Sequence, residues 1–236
     1  MLVPHTHPPH AAGRRGPLDV EVTVLARVRI SVPDRPGSLG QVASAIGSGG
    51  ADIVQVDVLE SAAGRALDDV VVQVRDATHL GRVTAGLAAL AGVTVVGVQH
   101  PAPPVTGHTE LELVQRVLDQ PARALQTLVD GAPAALGADW AALVEFEPDG
   151  GQRAVLSTST QAPPLDWIDV RAPLRLTVLR LTPPDGDPYA GSVLVPLAGT
   201  GVGLLLVRVE GLDFHPTELW RLGHLGAVLG PLVGSR

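Results

Sequence analysis

The chain has 236 residues, 45% of them hydrophobic, and a formal net charge of −7. This length suits one large domain or two small ones, and the acidic balance argues against a nucleic-acid-binding protein, which needs a basic face. Cysteine is absent and every basic residue is arginine. Those absences exclude disulfides, thiolate metal sites, a P-loop lysine and a Schiff-base lysine.

The N-terminal segment is rich in proline and histidine and has no periodicity, so we expect a disordered tail over residues 1–20. His5, His7 and His10 have no carboxylate or cysteine beside them and are not expected to hold a metal. The tail lacks the apolar core of a signal peptide, and no run of about 18 apolar residues occurs in the chain. The sequence therefore predicts a cytoplasmic protein without a membrane span.

Residues 21–100 contain six predicted elements. Val24–Val32 alternates apolar and polar side chains, as a half-buried strand does. A helix with one apolar stripe begins at about Gly37 and ends at Gly47–Gly50. The remaining predicted elements are a strand at Ile53–Glu60 that buries Val54, Val56 and Val58, a turn at Ser61–Arg65, a strand at Leu67–Arg75, a helix striped by Leu80, Val83, Leu87 and Leu90, and a strand at Val93–Gln99.

The order strand–helix–strand–strand–helix–strand is that of the ferredoxin-like split βαβ arrangement, which has helices on one face of an open sheet. The opposite face needs a cover. Leu25, Val71 and Val96 are apolar residues expected on that face. They predict a homodimer formed through this half of the chain.

A proline-rich stretch at residues 101–108 is a predicted linker, across which we expect few contacts. The next predicted helix has Leu111, Val114 and Leu118 on its apolar stripe and is split at Pro121.

The rest of the chain is predicted to fold as a unit distinct from the first half, with two hairpins and a closing helix. In that helix, which starts at Pro216, three glycines are expected to allow close contact with another helix. The hairpins are Trp140–Glu147 with Arg153–Thr158 and Ser192–Leu197 with Val202–Val209, and the glycines are Gly223, Gly226 and Gly230.

Two short motifs stand out in the first half. Asp34–Leu39 reads DRPGSL and Gly49–Ile53 reads GGADI. Together, at this separation and with this order of elements, they resemble the ACT domain, a regulatory module that binds amino acids and related small effectors. The resemblance implies that a ligand binds where the first strand turns into the first helix.

Helix N-terminal N–H groups suit a carboxylate, and a glycine lets a ligand come close to the backbone. The resemblance assigns ligand binding to Asp34, Pro36, Gly37, Ser38, Leu39, Asp52 and Ile53. Members that bind amino acids often have Asn where this chain has Asp34 and Asp52. The two Asp residues favour either a ligand whose amino end faces them or a ligand other than an ordinary amino acid. The structural alternative is that Asp34 caps the helix and Asp52 caps the following turn.

The second half resembles a GAF domain, a sensory fold with a six-stranded sheet backed by terminal helices. Val193–Leu197, Gly203–Val207 and Phe214 match that fold's last two strands and the start of its closing helix. The segment between the two hairpins is short for the family. The implied fold class is α+β: a ferredoxin-like βαββαβ ACT domain over residues 21–100, then a GAF-like α/β sandwich over residues 109–236.

No motif predicts catalysis. Asp68 and Asp69 are neighbours in a strand and point to opposite faces, and the glycines of Gly199–Gly203 join two strands instead of opening a helix. We expect no enzyme activity, no catalytic residue, no cofactor and no metal. The leading hypothesis is a homodimeric small-molecule sensor that signals through an unknown downstream protein. The alternatives are a scaffolding dimer without a ligand and an enzyme subunit whose catalytic partner is a separate chain.

Overall fold

The computed structural model shows two bodies of secondary structure. The tail predicted for residues 1–20, with its three histidines, and the linker predicted for residues 101–108 lie outside the described residues. Those described are residues 23–100, 109–148, 150–171 and 173–234.

The first body is a four-stranded antiparallel sheet with two helices on one face. Its strand order is β2-β3-β1-β4, so the predicted α+β, ferredoxin-like βαββαβ fold is confirmed. Its elements are β1 (Val24–Pro33), α1 (Ser38–Ser48), β2 (Asp52–Ala62), β3 (Arg65–Val74), α2 (Ala77–Ala88) and β4 (Thr94–Gln99).

Local sequence explains the ends of these elements. The β2–β3 hairpin turns at Ala63 and Gly64, whose φ angles are 51° and 75°. Two residues with positive φ make the tight turn whose twist matches that of a hairpin. At the start of α2, the Asp76 carboxylate accepts a hydrogen bond of 2.7 Å from the His79 backbone N–H, as a helix N-cap does.

Strand β2 differs from the prediction in its burial. Val54, Val56 and Val58 are 42%, 40% and 56% exposed, so the expectation that they are buried is wrong. The reason is that β2 is the edge strand of the sheet. Alternation in the sequence identifies a strand, but it does not show whether the helices extend far enough to cover it.

The prediction of an uncovered apolar second face is also wrong. Val71 is 1% exposed and Leu25 is partly buried within this chain, while Val96 remains 54% exposed on the other edge strand. Cross-strand pairing places Gln55, Val71 and Arg27 in one row of this face and Asp57, Asp69 and Arg29 in the next row. The second face is thus mostly polar, and part of it is buried against the second body of the same chain.

The second body is a five-stranded antiparallel sheet of order β6-β5-β9-β8-β7 with helices on one face. It confirms the predicted hairpins and the break near Pro121. Its elements are α3 (Thr109–Asp119), a 3₁₀ turn (Pro121–Arg123), α4 (Ala124–Leu136), β5 (Trp140–Phe146), β6 (Gln152–Thr158), β7 (Thr177–Leu179), β8 (Gly191–Leu197), β9 (Val202–Arg208) and α5 (Pro216–Gly234).

Helix α3 buries a different stripe from the one predicted. Leu113 and Val117 are buried, whereas Leu111 and Leu118 are exposed and Val114 packs only partly. A side-chain carbon at Gly131 of α4 would lie 2.7 Å from Leu113 Cδ1. The close approach of α4 therefore selects the face that α3 buries, and this tertiary contact cannot be read from helical periodicity.

The glycines of α5 contact a strand instead of another helix. The Gly226 carbonyl accepts a hydrogen bond of 3.3 Å from the Ala198 backbone N–H. A side-chain carbon at Gly230 would overlap the backbone of Ala198, whereas one at Gly223 would lie 3.4 Å from Leu176 Cδ2. Two of the glycines thus let α5 lie directly on the end of β8, and the prediction of a helix–helix contact is wrong.

We expect Gly230→Ala to lower the free energy of unfolding by about 2–3 kcal/mol, because the new methyl group meets backbone atoms that cannot move aside. Gly223→Ala is the matched control in the same helix, and the better helix propensity of alanine should raise stability there by about 0.5–1 kcal/mol. Urea unfolding of both variants measures the difference. Equal effects would contradict the close approach of α5 to β8.

Candidate functional site

The turn between β1 and α1 has the features that make a helix N-terminus open to a ligand. Gly37 is the N-cap with a φ of 91°, and no side chain caps the helix. A side-chain carbon at Gly37 would meet nothing within 4 Å. Asp34 does not cap α1, because its carboxylate accepts a hydrogen bond from the Ser61 hydroxyl near the end of β2. The turn is therefore accessible, and a carboxylate lies beside it.

A second carboxyl group lies in the core of the same sheet. Asp68 is fully buried, and neither its oxygens nor the buried Ser38 hydroxyl has a hydrogen-bond partner among the described residues. Asp68 pairs across the sheet with Ile30, a core residue, and so faces the helices. Burial, with the charges of Asp34 and Asp69, raises the pKa of Asp68 above its ordinary value. The sequence analysis considered Asp68 only as half of a catalytic pair and missed this position.

The structure does not bring all the predicted site residues together. Pro36 and Gly37 are exposed in the turn, where β1 ends beside the end of β2. Asp52 and Ile53 begin β2 and follow the C-terminal end of α1. Helix α1 has 11 residues, so about 16 Å separates the two groups within one chain. Asp34, Ser38 and Leu39 belong to the first group.

A buried ion-pair network joins the two bodies of the chain. The Arg29 guanidinium donates two hydrogen bonds, of 2.7 and 2.8 Å, to the Asp69 carboxylate in the neighbouring strand. It also donates to Glu218 Oε2 at 3.1 Å and to the Asp213 carbonyl at 3.3 Å, both in the second body. These hydrogen bonds cross the predicted domain boundary.

The second body contributes a matching pair. Arg208 is fully buried and donates to Glu218 Oε1 at 2.7 Å, to the Gly137 carbonyl at 2.7 Å and to the Asp213 carbonyl at 3.2 Å. Glu218 also accepts a hydrogen bond of 2.9 Å from the backbone N–H of His215, the residue before α5. The same carboxylate thus caps a helix and binds arginines from both bodies.

The pKa of Glu218 is strongly perturbed within this network. Burial acts to raise its pKa, but the hydrogen bond and charge of Arg208, the His215 N–H and the charge of Arg29 outweigh burial and hold the pKa at about 2. The sequence analysis missed these residues. Two signals in the sequence could have found them. Glu218 stands three positions after His215, as in a capping box, and Arg27 and Arg29 occupy alternate positions of the otherwise apolar strand β1.

A cavity of about 580 Å³ lies beside this network, between the open face of the sheet and helices α3, α4 and α5. Arg27, Gln55 and Asp57 line it from the sheet, and Glu110 and Arg221 line it from the helices. Its volume is within the range of small-molecule sites.

The comparisons with known proteins identify the first body. Residues 22–97 match the family model of the ACT domain. This part of the chain is an ACT domain. None of the curated proteins compared matches the chain.

Solved structures show likenesses in both halves. The ACT domain from GTP pyrophosphokinase of Chlorobium tepidum is 20% identical, and the match covers 33% of this chain and 97% of that one, with a TM-score of 0.28. The GAF domain from Acinetobacter phosphoenolpyruvate-protein phosphotransferase is 12% identical, over 54% of this chain and 94% of that one, with a TM-score of 0.37. A protein of unknown function from Galdieria sulphuraria is 13% identical, over 89% of this chain and 92% of that one, with a TM-score of 0.29.

The GAF-like domain fills the second face of its sheet with its own residues. The segment between β6 and β8 packs Ile168 and Val170 against that face. Tyr189 contacts Trp140 edge-on, with ring centroids 5.8 Å apart. The short connecting segment noted in the sequence thus supplies part of this domain's core.

Two further findings concern the described residues. None of their helices combines the length and hydropathy that a membrane span requires. They also contain no cluster of three or more His, Asp or Glu side chains placed to hold a metal ion.

We expect Glu218→Gln to lower the free energy of unfolding by about 3 kcal/mol at pH 7, because it leaves Arg208 buried without its charge partner. The pKa of Glu218 is depressed from 4.5 to about 2 on folding. Its contribution is therefore complete above pH 4.5, and is lost as the pH falls toward 2. Urea unfolding at a series of pH values measures this. The difference in the free energy of unfolding between the wild type and Glu218→Gln should shrink as the pH falls from 4.5 toward 2.

Glu147→Gln provides the control, because Glu147 forms a solvent-exposed ion pair with Arg153 at 3.5 Å. An exposed pair contributes little to stability, so this variant should unfold like the wild type. A Glu218→Gln variant as stable as the Glu147→Gln variant at pH 7 would contradict the buried network.

Proposed function

We propose that this protein is a non-enzymatic sensor that binds an amino acid or a related small effector at the turn of its ACT domain and passes the signal to a partner protein. The accessible, uncapped start of α1 at Gly37 carries the proposal, together with the ACT match over residues 22–97. The Ser38 N–H already donates a hydrogen bond of 3.2 Å to the Arg35 carbonyl, and the next N–H groups of the helix start suit a carboxylate. Asp34 beside them suits the ammonium group of the same ligand.

A second copy of the chain would complete this site. Strand β2 is an edge strand with exposed valines, and such an edge favours pairing with another strand beyond the Leu59 carbonyl, which accepts a hydrogen bond from the Thr217 hydroxyl. Antiparallel pairing of β2 with its counterpart about a two-fold axis places the start of one strand beside the end of the other. Asp52 and Ile53 of the second copy then lie near Ser61, which binds Asp34. The two halves of the predicted site meet only in the dimer.

The carboxylates support a role in binding rather than in catalysis. Asp69 is held by Arg29 on one face of the sheet, while Asp68 lies on the helix side. The two acids cannot act on one substrate, because successive residues of a strand point to opposite faces.

A thermal-shift screen of the full chain against the twenty amino acids tests the proposal and supplies the ligand for further work. At least one amino acid should raise the melting temperature of the wild type and fail to raise that of Gly37→Leu, whose new side chain occupies the approach to the helix start. Gly199→Leu is the control, because Gly199 has a φ of 78° and equally open surroundings in the GAF-like domain. Stabilisation of Gly37→Leu equal to that of the control would contradict the site.

Mixing two inactive variants tests whether the site is shared. Gly37→Leu damages the turn and Ile53→Asp damages the start of β2. In a mixed dimer one site carries both changes and the other carries neither. Equimolar mixing should therefore restore about a quarter of the wild-type binding stoichiometry in calorimetry with the amino acid found above. No recovery would contradict a shared site.

Charged substitutions on the two edge strands provide the matched control for the dimer. Adding Val58→Lys to both variants should abolish the recovery and give monomers in sedimentation. Adding Val96→Lys should change neither result. The two valines are 56% and 54% exposed, so they differ in the strand they occupy and hardly at all in accessibility. A dimer in which no amino acid raises the melting temperature would instead favour the scaffolding alternative.

A further inference from the structure

Arg27 differs from the two other arginines at the domain boundary. Arg29 and Arg208 each donate hydrogen bonds to a carboxylate and to carbonyl groups. The Arg27 side chain is 18% exposed, and its charge partner among the described residues is Glu218 Oε1 at 3.7 Å, beyond hydrogen-bond distance. Arg27 lines the cavity, and its guanidinium keeps donors without a hydrogen-bond partner among the described residues.

The environment of Arg27 also makes an added negative charge favourable. Burial lowers the pKa of Arg27 and the nearby positive charge of Arg208 lowers it further, while the negative charges of Asp69 and Glu218 act in the opposite direction. A largely buried cation without a hydrogen-bonded anion is costly. A carboxylate bound at Arg27 would remove that cost.

Asp57 provides the opposite charge on the same face. Its carboxylate lines the cavity and accepts a hydrogen bond from the Gln55 side chain, and no ion pair neutralises it among the described residues. The other lining charges are already paired: Asp69 with Arg29, Glu218 with Arg208, and Glu110 with Arg221. One cation and one anion thus remain for a ligand.

The sheet register fixes the separation of these two groups. Arg27 and Asp57 lie two strands apart in the sheet. They are also offset by two residues along the strands, because Arg27 pairs with Val71 of β3 while Asp57 pairs with Asp69 of β3. Their Cα atoms are therefore about 12 Å apart. The long arginine side chain shortens that distance, so that one small molecule carrying both charges can contact both groups. Leu59, Leu222 and Leu225 provide an apolar wall between the domains.

We infer that the cavity between the ACT and GAF-like domains is a second binding site, which takes an α-amino acid with an apolar side chain. Arg27 binds the carboxylate, Asp57 binds the ammonium group, and the leucines contact the side chain. The site uses different residues and a different face of the sheet from the ACT turn. A ligand here touches both domains and therefore stabilises their contact.

Titration calorimetry of the full chain with L-leucine tests the inference. The Gly37→Leu background removes the proposed site at the ACT turn, and L-leucine should still bind there. Arg27→Gln and, separately, Asp57→Asn in that background should each weaken binding at least about tenfold, because each removes a charged hydrogen bond. Arg171→Gln is the control, since the Arg171 side chain is 86% exposed, and it should bind like the parent.

Two shape-matched analogues test the same assignment without any substitution at the site. 4-Methylpentanoate lacks the ammonium group and 3-methylbutylamine lacks the carboxylate, so each should bind the parent at least about tenfold more weakly than L-leucine. Unchanged binding in Arg27→Gln, equal binding of either analogue, or no binding of L-leucine to the parent would overturn the inference. L-Leucine binding that is lost on Gly37→Leu alone would also overturn it, and would leave the proposed sensor function standing.

Discussion

A chain of alternating charges joins the two domains at their boundary, and the arrangement of the domains depends on it. Asp69, Arg29, Glu218 and Arg208 form a continuous chain of hydrogen-bonded ions, and the Asp213 carbonyl accepts from both arginines. Each domain contributes one arginine–carboxylate pair, and the hydrogen bond from Arg29 to Glu218 joins the two pairs across the boundary. The polar second face of the ACT sheet is stable because the GAF-like domain supplies its partners. The same contact shapes the cavity beside Arg27.

Local sequence patterns predicted most elements of this fold. They did not predict the contacts between elements that are distant in the sequence. Some signals involve only a few neighbouring residues, so the sequence shows them directly. Examples are the alternation of apolar and polar residues in β1, the glycine turn before β3 and Pro216 at the start of α5. The burial of β2 depends on the reach of the helices, and the buried stripe of α3 depends on Gly131 of another helix. Glu218 was missed for the same reason, because its partners lie far away in the sequence. The turn residues of the candidate site were predictable, whereas the 11-residue helix between its two halves became apparent only in the fold.

The two proposed sites would give a small molecule two ways to alter the protein. A ligand at the ACT turn would join two copies of the chain through the β2 edge, while a ligand beside Arg27 would tighten the contact between the two domains of one copy. Binding that favours one arrangement shifts the population toward it by the difference in affinity between the arrangements. Under the proposed function, a partner protein would respond to the arrangement of the domains and not to the ligand itself.

The buried ion network should make the ACT and GAF-like domains one cooperative unit. All three tryptophans, Trp140, Trp167 and Trp220, lie in the GAF-like half, so tryptophan fluorescence follows that half alone. Hydrogen exchange at the amides of β1 and β3 follows the ACT sheet. Measured together across a urea series, the two signals should change at the same urea concentration. Exchange of the β1 and β3 amides at a clearly lower urea concentration than the fluorescence change would show that the ACT domain unfolds by itself, and would contradict the account.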